Sequence, residues 1–168
     1  MEVEIREVTS REAEDVTDLI VRFREEHSRL LGGSKAVERE EVSNEVMATL
    51  KAEDKGYFVA VIEGEVVGYR SWEFRDEFYF TQELFVMPDY RQEGIAKALI
   101  RRLEDWLEER GQNIACIKCV PQNVAMINLA RSEGYKILNQ IELRKHLADE
   151  LPEPRSEENA LGYRWDIL

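Results

Sequence analysis

The amino-acid sequence predicts an α/β fold (α+β in some classifications): one domain with a central mixed, mostly antiparallel sheet and helices on both of its faces. Residues 78–86 are rich in aromatic and β-branched side chains, as central strands are. A glycine-containing loop follows, and then a segment whose apolar residues recur every three or four positions, which predicts an amphipathic helix. Residues 57–62 and 66–72 flank a glycine turn, which predicts an antiparallel β-hairpin.

The first part of the chain predicts one strand followed by two helices. Residues 3–8 alternate apolar and charged side chains, which is typical of an edge strand. Thr9 and Glu12 have the spacing of a capping box, so a helix is expected directly after them. Two consecutive glycines end that helix, and Ser34 is placed to cap the next one.

The last part of the chain predicts a further strand, a short helix and two more strands. Gly111 is suited to end the amphipathic helix, and residues 113–120 then form a strand. A strand–helix–strand connection of this length predicts that 113–120 and 78–86 are a parallel or splayed pair. The helix, the next strand, a polar loop and the final strand are expected at residues 121–132, 136–147, 148–159 and 161–167.

Composition excludes several classes of protein. Acidic residues outnumber basic ones by 35 to 23, which gives a net charge of −12 and opposes general nucleic-acid binding. This charge would steer a cationic substrate toward the protein, but a soluble, charge-rich surface accounts for it equally well. No apolar run approaches the roughly 20 residues that span a bilayer, and the start of the chain lacks the features of a signal peptide. We therefore expect a cytoplasmic protein without a membrane partner.

The two cysteines, Cys116 and Cys119, have the spacing of a redox motif or of half a zinc site. Both lie in an apolar segment that predicts a strand, where residues three positions apart point to opposite faces. A shared metal or an easy disulfide is therefore not expected. The only histidines are His27 and His146, and no second cysteine pair exists, so no metal site is predicted.

The loop between the central strand and its helix, residues 91–96, is the candidate binding site. Pro88 ends the strand because it lacks a backbone N–H group, and Gly94 lies at the bend before the helix. A loop that leads straight into a helix exposes unpaired N–H groups at the positive end of the helix dipole, where phosphate or pyrophosphate binds. Arg91 adds a cation at the rim. Alternatively, Gly94 serves only the bend.

The order VMPDYRQEGIAKALI resembles the coenzyme A loop of the GCN5-related N-acetyltransferase (GNAT) family. The signature of that loop is Arg or Gln, two residues, Gly, one residue, and then Gly or Ala. Arg91, Gly94 and Ala96 occupy those three places, and Pro88 and Tyr90 match as well. The resemblance implies acetyl-CoA as co-substrate, with no metal.

The resemblance also implies the fold and the residues that hold the cofactor. The expected fold is one GNAT-like domain over residues 1–168, with a sheet splayed between its fourth and fifth strands, 78–86 and 113–120. The backbone of Leu84, Phe85 and Val86 would pair with the pantetheine arm, and Arg91 would stand beside the pyrophosphate. Asn123 would contact the pantetheine arm, or it is a plain helix cap. The amides that would hold the pyrophosphate are those of Gln92, Glu93, Gly94, Ile95, Ala96 and Lys97.

The implied reaction is transfer of an acetyl group to a primary amine by direct attack in a ternary complex. The amine must lose a proton to attack the thioester, so a base is required. Glu83 is the candidate base and Gln82 a candidate for orienting water or substrate, because both are polar within an apolar strand. A carboxylate there either faces a cleft or is held in a structural ion pair.

The sequence departs from the family pattern at two positions. The usual tyrosine acid is replaced by Ala130, and the glutamate that many protein-acetylating members carry is replaced by Lys118. These departures keep open the alternative of a non-catalytic acyl-CoA-binding sensor or regulatory module. An ATP-binding loop is a weaker alternative, since the GKS/T form of a P-loop is missing. The expected acceptor is a small-molecule amine or a protein or peptide amine, and a homodimer through exposed sheet edges is plausible.

Overall fold

The computed structural model describes residues 2–34, 36–75, 77–138 and 142, and the backbone of 156–160 and 163–167. The chain divides into two compact units, Met1–Cys119 and Val120–Leu168. In the first unit the helices are α1 (Ala13–Leu30), α2 (Arg39–Thr49) and α3 (Ile95–Glu108). Its strands are β1 (Glu4–Glu7), β2 (Lys55–Ile62), β3 (Glu65–Arg75), β4 (Phe78–Thr81), β5 (Leu84–Val86) and β6 (Cys116–Ile117).

The second unit contains one helix and one small sheet among its described residues. These elements are α4 (Val124–Ser132), β7 (Ser156–Ala160) and β8 (Tyr163–Ile167), and β7 pairs with β8 in antiparallel fashion. Residues 156–160 therefore form a strand where the sequence predicted a polar loop. Most of the strand predicted at 136–147 lies outside the described residues. Within the described residues, no helix combines the length and apolar character that crossing a membrane requires.

The six-stranded sheet of the first unit is mixed and mostly antiparallel, as predicted. Its order is β1-β2-β3-β4-β6, with β5 paired to β3 beyond the end of β4. The parallel pair is β4 with β6, and α3 lies in the connection that leads to β6. The predicted hairpin is also confirmed, since β2 and β3 pair across a turn in which Glu63 and Gly64 both have positive φ.

Helices cover both faces of this sheet. On one face α1 and α2 contribute Val16, Ile20 and Val46 to a cluster with strand residues such as Tyr69. On the other face α3 packs its apolar stripe, which includes Leu99, Leu103 and Trp106, against strand residues such as Phe58. Each fully buried side chain of this kind contributes about 1.5–3 kcal/mol to folding. The two clusters hold β2 and β3 between the helix layers.

The central strand predicted at 78–86 is interrupted, and this is a correction. Phe80 pairs with Glu73 on β3, but Leu84 pairs with Arg70. Three residues on one strand therefore face two on the other, which is a β-bulge. The bulge leaves Gln82 and Glu83 between β4 and β5. It changes the register by one position, so that the alternation of side chains restarts at β5.

The sheet splays where the bulge lies. β4 pairs with β6 through Phe80 and Thr81, and the Lys118 N–H donates to the Thr81 carbonyl at 3.0 Å. Beyond that point, β5 pairs with β3 and with no other described strand. The expected gap between the central strand and the strand that follows α3 is therefore present, and one edge of β5 faces it.

Two boundaries differ from the sequence expectation. Ser34 does not cap α2, which begins five residues later at Arg39, where the Arg39 side chain bonds Asp18 of α1 at 2.8 Å. The contact with α1 thus accompanies the helix start in place of a local cap. The strand predicted at 113–120 is only Cys116–Ile117, which pair with Phe80 and Thr81 at the end of β4. Cys119 lies outside it, and burial raises the pKa of both free thiols.

Substitution Glu12→Gln is expected to lower the free energy of unfolding at neutral pH by about 1 kcal/mol, the discounted value for a screened pair. Hydrogen bonds from Arg6, together with those from Thr9, lower the pKa of Glu12 to about 2. Because the pKa of Glu12 is lower in the folded protein, Glu12 stabilises the fold at pH values above the ordinary carboxyl pKa. This contribution is lost as the pH falls toward 2. Urea unfolding of both proteins should show a clear difference at pH 7 that shrinks by pH 2.5. A constant difference would contradict the linkage.

Candidate active site

The β-bulge places Glu83 at the centre of a polar network in the first unit. The Glu83 backbone is held to β3 by Ser71, whose N–H donates to the Glu83 carbonyl at 2.9 Å and whose Oγ accepts from the Glu83 N–H at 3.1 Å. Its carboxylate accepts from Arg24 Nε at 3.0 Å and from the Tyr69 hydroxyl at 3.1 Å. Each carboxylate oxygen keeps a further lone pair for another donor.

Arg24 of α1 joins Glu83 to α2. Both Nη atoms of Arg24 donate to the Glu45 carboxylate at 2.8 Å, while its Nε is bonded to Glu83. These hydrogen bonds raise the pKa of Arg24, chiefly through Glu45, and Arg24 in turn lowers the pKa of Glu45. Both groups are therefore charged at neutral pH. Of the two sequence expectations for Glu83, a cleft or an ion pair, the ion pair is present.

Two tyrosines beneath this network keep their protons. Burial raises the pKa of Tyr69 well above its ordinary value, and the neighbouring Glu83 carboxylate raises it further. Burial also raises the pKa of Tyr57 to about 12. Tyr69 can therefore act as a hydrogen-bond donor to Glu83 at neutral pH, and neither tyrosine is a ready base.

A cavity of about 180 Å³ opens over the bulge, between the sheet and the α1–α2 pair. Glu83 and Gln82 line it, so Glu83 satisfies both sequence expectations at once: it faces a cleft and it is ion-paired. The Gln82 amide donates to Glu73 at 3.4 Å. The other charged residues of the cavity wall are Arg24, Glu45, Lys55 and Glu73, and its aromatic residues are Tyr57, Trp72 and Phe80.

The free edge of β5 begins next to this cavity. The Glu83 carbonyl and the Met87 N–H both bond β3, so by alternation the backbone groups of Leu84 and Val86 point away from β3. The Val86 carbonyl accepts from Arg91 Nε at 2.8 Å. The Arg91 side chain also donates to Glu26 of α1 at 2.9 Å and lies over the Phe85 ring. Its guanidinium is thus bound to protein atoms.

The loop after β5 has the geometry of an anion site. Pro88–Tyr90 form one 3₁₀ turn, and Gly94 precedes α3 in the left-handed conformation, with φ 82° and ψ 0°. Gln92 is left-handed too, at φ 69°, which is uncommon for a residue other than glycine. In the described part of the chain no side chain caps α3, and its first turn is free of acidic residues. The amides of that turn are therefore suited to a phosphate group.

The remaining sequence candidates make local contacts within their own elements or with a neighbouring side chain. Asn123, in the second unit, caps α4 by accepting from the Met126 N–H at 3.1 Å. Ala130 is buried in α4, and Lys118 stacks on the Phe80 ring. Sequence reasoning missed Arg24, whose link to Glu83 joins residues 59 positions apart and leaves no local signal.

Comparison with protein-family models matches residues 16–135 to the model described as the acetyltransferase (GNAT) family. The matched segment contains the bulge, the free edge of β5 and the loop before α3.

Similar curated proteins are acyltransferases of different specificity. An aminoglycoside N(6')-acetyltransferase type 1 of Salmonella typhimurium is 24% identical over 52% of this chain and 66% of its own length. An L-amino acid N-acyltransferase of Escherichia coli is 33% identical over 51% of this chain and 54% of its own length. The chain therefore matches less than two thirds of either relative.

Similar solved structures share the fold. An aminoglycoside N-acetyltransferase, AAC(6')-Iy, solved in complex with CoA, is 18% identical with a TM-score of 0.69, covering 88% of this chain and 96% of that one. The PaiA N-acetyltransferase of Thermoplasma acidophilum, also in complex with coenzyme A, is 17% identical with a TM-score of 0.68, covering 84% and 94%.

Proposed function

The chain belongs to the acetyltransferase (GNAT) family, and on that premise we propose that it transfers the acetyl group of acetyl-CoA to a primary amine by direct attack in a ternary complex. The observation that carries this proposal is the bulge. It brings the cavity lined by Glu83 next to the free edge of β5, so an amine and an extended thioester arm can meet there.

The loop and β5 would hold the co-substrate. The amides from Gln92 to Lys97 would bind the pyrophosphate at the start of α3, which has no competing cap or carboxylate in its first turn. The backbone groups of Leu84 and Val86 would pair with the pantetheine arm as a further strand would, with Phe85 between them. Arg91 would stand at the rim. When bound, acetyl-CoA supplies the thioester carbonyl.

The residues of the cavity would prepare the amine. Glu83, held by Arg24 and Tyr69, keeps lone pairs with which it can accept the amine proton through water. The neutral nitrogen then forms the new C–N bond, the C–S bond breaks, and the nitrogen releases its second proton to solvent as the departing CoA thiolate takes one up. Gln82 would orient the water or the amine. The hydrogen bonds from Arg24 and Tyr69 hold the Glu83 carboxylate in place and so fix the direction of its remaining lone pairs.

The acceptor of this chain is proposed to be a small amine, or the amine of a peptide end that fits the cavity. An aminoglycoside acetyltransferase and an L-amino acid acyltransferase are among the similar proteins. The cavity, at about 180 Å³, is smaller than the ~300–1,000 Å³ typical of drug-sized ligand pockets. A small acceptor would fit within it, and a larger one would place only its amine there and extend into solvent through the open side.

A screen of amines with acetyl-CoA, followed by thiol release, tests the proposal. We expect release that depends on the amine, and initial-rate lines that intersect when both substrates are varied. Parallel lines would contradict direct attack in a ternary complex. Tight CoA binding without amine-dependent release would instead support the non-catalytic acyl-CoA sensor.

A further inference from the structure

We infer that Glu26 of α1 competes with the pyrophosphate of CoA for Arg91, so that the cofactor must displace the Glu26 carboxylate when it binds. This inference rests on the proposed function and adds a residue that limits cofactor affinity. It follows from three features: the place of Arg91 beside β5, the contact that already occupies its guanidinium, and the charge around the loop.

Arg91 lies beside the proposed path of the cofactor. Its Nε donates to the Val86 carbonyl at 2.8 Å, and that carbonyl points away from β3, toward the free edge of β5. A carbonyl oxygen can accept two hydrogen bonds, so Arg91 and the pantetheine arm can share Val86. The guanidinium therefore stands one hydrogen bond away from the edge along which the arm is proposed to run.

The outer end of the guanidinium is bound to Glu26. Arg91 Nη2 donates to the Glu26 carboxylate at 2.9 Å, while the guanidinium lies over the Phe85 ring. The side chains of Arg91 and Glu26 are 44% and 37% exposed, so a ligand can reach the pair from solvent. A guanidinium binds carboxylates and phosphates through the same N–H groups, and Glu26 therefore occupies a donor that a phosphate would use.

The charge around the loop makes this contact matter. The basic residues of segment 87–98 are Arg91 and Lys97, and its acidic residues are Asp89 and Glu93. The addition of Glu26 makes the local balance negative, in a chain whose net charge of −12 already repels an anionic cofactor. The free protein thus presents the amides of α3 to a pyrophosphate while the guanidinium beside them is neutralised.

This competition acts on substrate and product alike, since acetyl-CoA and CoA carry the same pyrophosphate. It lowers the affinity for acetyl-CoA, and at a given association rate it also speeds the release of CoA after the acetyl group has left. Glu26 is thus proposed to set how long the cofactor stays bound, without contact with the reacting atoms.

The test measures CoA binding by calorimetry at physiological ionic strength, where exposed charges more than about 8 Å apart are largely screened. We expect Glu26→Gln to lower the Kd for CoA at least about threefold, within the range that an exposed ion pair contributes. The matched control Glu25→Gln removes the same charge from the neighbouring exposed position of α1 and should leave Kd unchanged. In an Arg91→Gln background, Glu26→Gln should have no more effect than the control, because no guanidinium is released. Dephospho-CoA, which keeps the pyrophosphate but lacks the 3′-phosphate, should show the same gain as CoA.

The outcomes separate the inference from the proposed function. Equal effects of Glu26→Gln and Glu25→Gln, or an equal gain with and without Arg91, would overturn the inference and leave the acetyltransferase proposal intact. A gain seen with CoA but absent with dephospho-CoA would place the competition at the 3′-phosphate and overturn it as well. If CoA binds but no amine releases thiol, acetyl transfer fails, and the Kd values still decide the inference. If neither the wild-type protein nor Glu26→Gln binds CoA, both fail.

Discussion

Substitution Gly94→Glu is expected to weaken CoA binding at least 100-fold, equivalent to about 2.7 kcal/mol, while the protein stays folded. Gly94 has φ 82°, so a side chain there strains the bend that aims the amides of the first turn of α3. The new carboxylate would also stand at the positive end of the helix, where the pyrophosphate is proposed to bind. Both effects act against a phosphate ligand, and calorimetry with CoA measures their sum.

The matched control for this prediction lies at the opposite end of the same helix. Gly111 follows α3 with φ 72°, and among the described residues an added Cβ would meet no atom within 4 Å at either glycine. Gly111→Glu therefore introduces the same charge and a similar backbone strain of about 1–2 kcal/mol, far from the loop. We expect it to lower thermal stability at least as much as Gly94→Glu does, because a carboxylate is unfavourable at the negative end of a helix, but to leave CoA affinity unchanged. Equal CoA affinity in both variants would remove the loop from the binding site.

Features that depend on neighbouring residues were predictable from the sequence. Glu63 and Gly64 adopt the positive φ values, 51° and 87°, that a two-residue hairpin turn requires. The glycine in the sequence predicts that turn. The apolar stripe of α3 likewise follows from spacing alone, since Ile95, Leu99 and Leu103 lie one turn apart and are all buried. These features are set by residues a few positions apart in the sequence, so they can be predicted without knowledge of the tertiary structure.

The central part of the candidate site was not predictable in the same way. The bulge depends on which residues of β3 pair with Phe80 and Leu84. An apolar run in the sequence does not indicate which residues of another strand it pairs with. The contact of Arg24 with Glu83 depends on how α1 lies on the sheet. The sequence did mark Glu83 as an anomaly, because a polar residue in an apolar strand needs an explanation. Its partner came only from the tertiary structure.

Substitution Glu83→Gln is expected to lower kcat by about 100-fold, the lower end of the 10²–10⁴ range for loss of a general base. The amide retains the shape of the carboxylate and can still accept from Tyr69, but it cannot take up a proton. The pH profile of turnover should therefore move as well, since the proton would have to leave by another route. The KM for acetyl-CoA should change little, because the proposed cofactor contacts are made by other residues, chiefly through their backbone groups. Steady-state kinetics across pH measures all three quantities.

The control for Glu83 is the other carboxylate that Arg24 binds. Glu45→Gln is the same isosteric change in the same cavity and also removes a charged partner from Arg24, yet it leaves Glu83 in place. If Glu83 served only to hold Arg24, the two variants would lose activity to a similar degree and keep the wild-type pH profile. If Glu83 is the base, Glu83→Gln loses far more turnover than Glu45→Gln, and it alone moves the profile. The ratio of the two kcat values thus distinguishes a role of Glu83 as the general base from a role in holding Arg24, both of which its geometry allows.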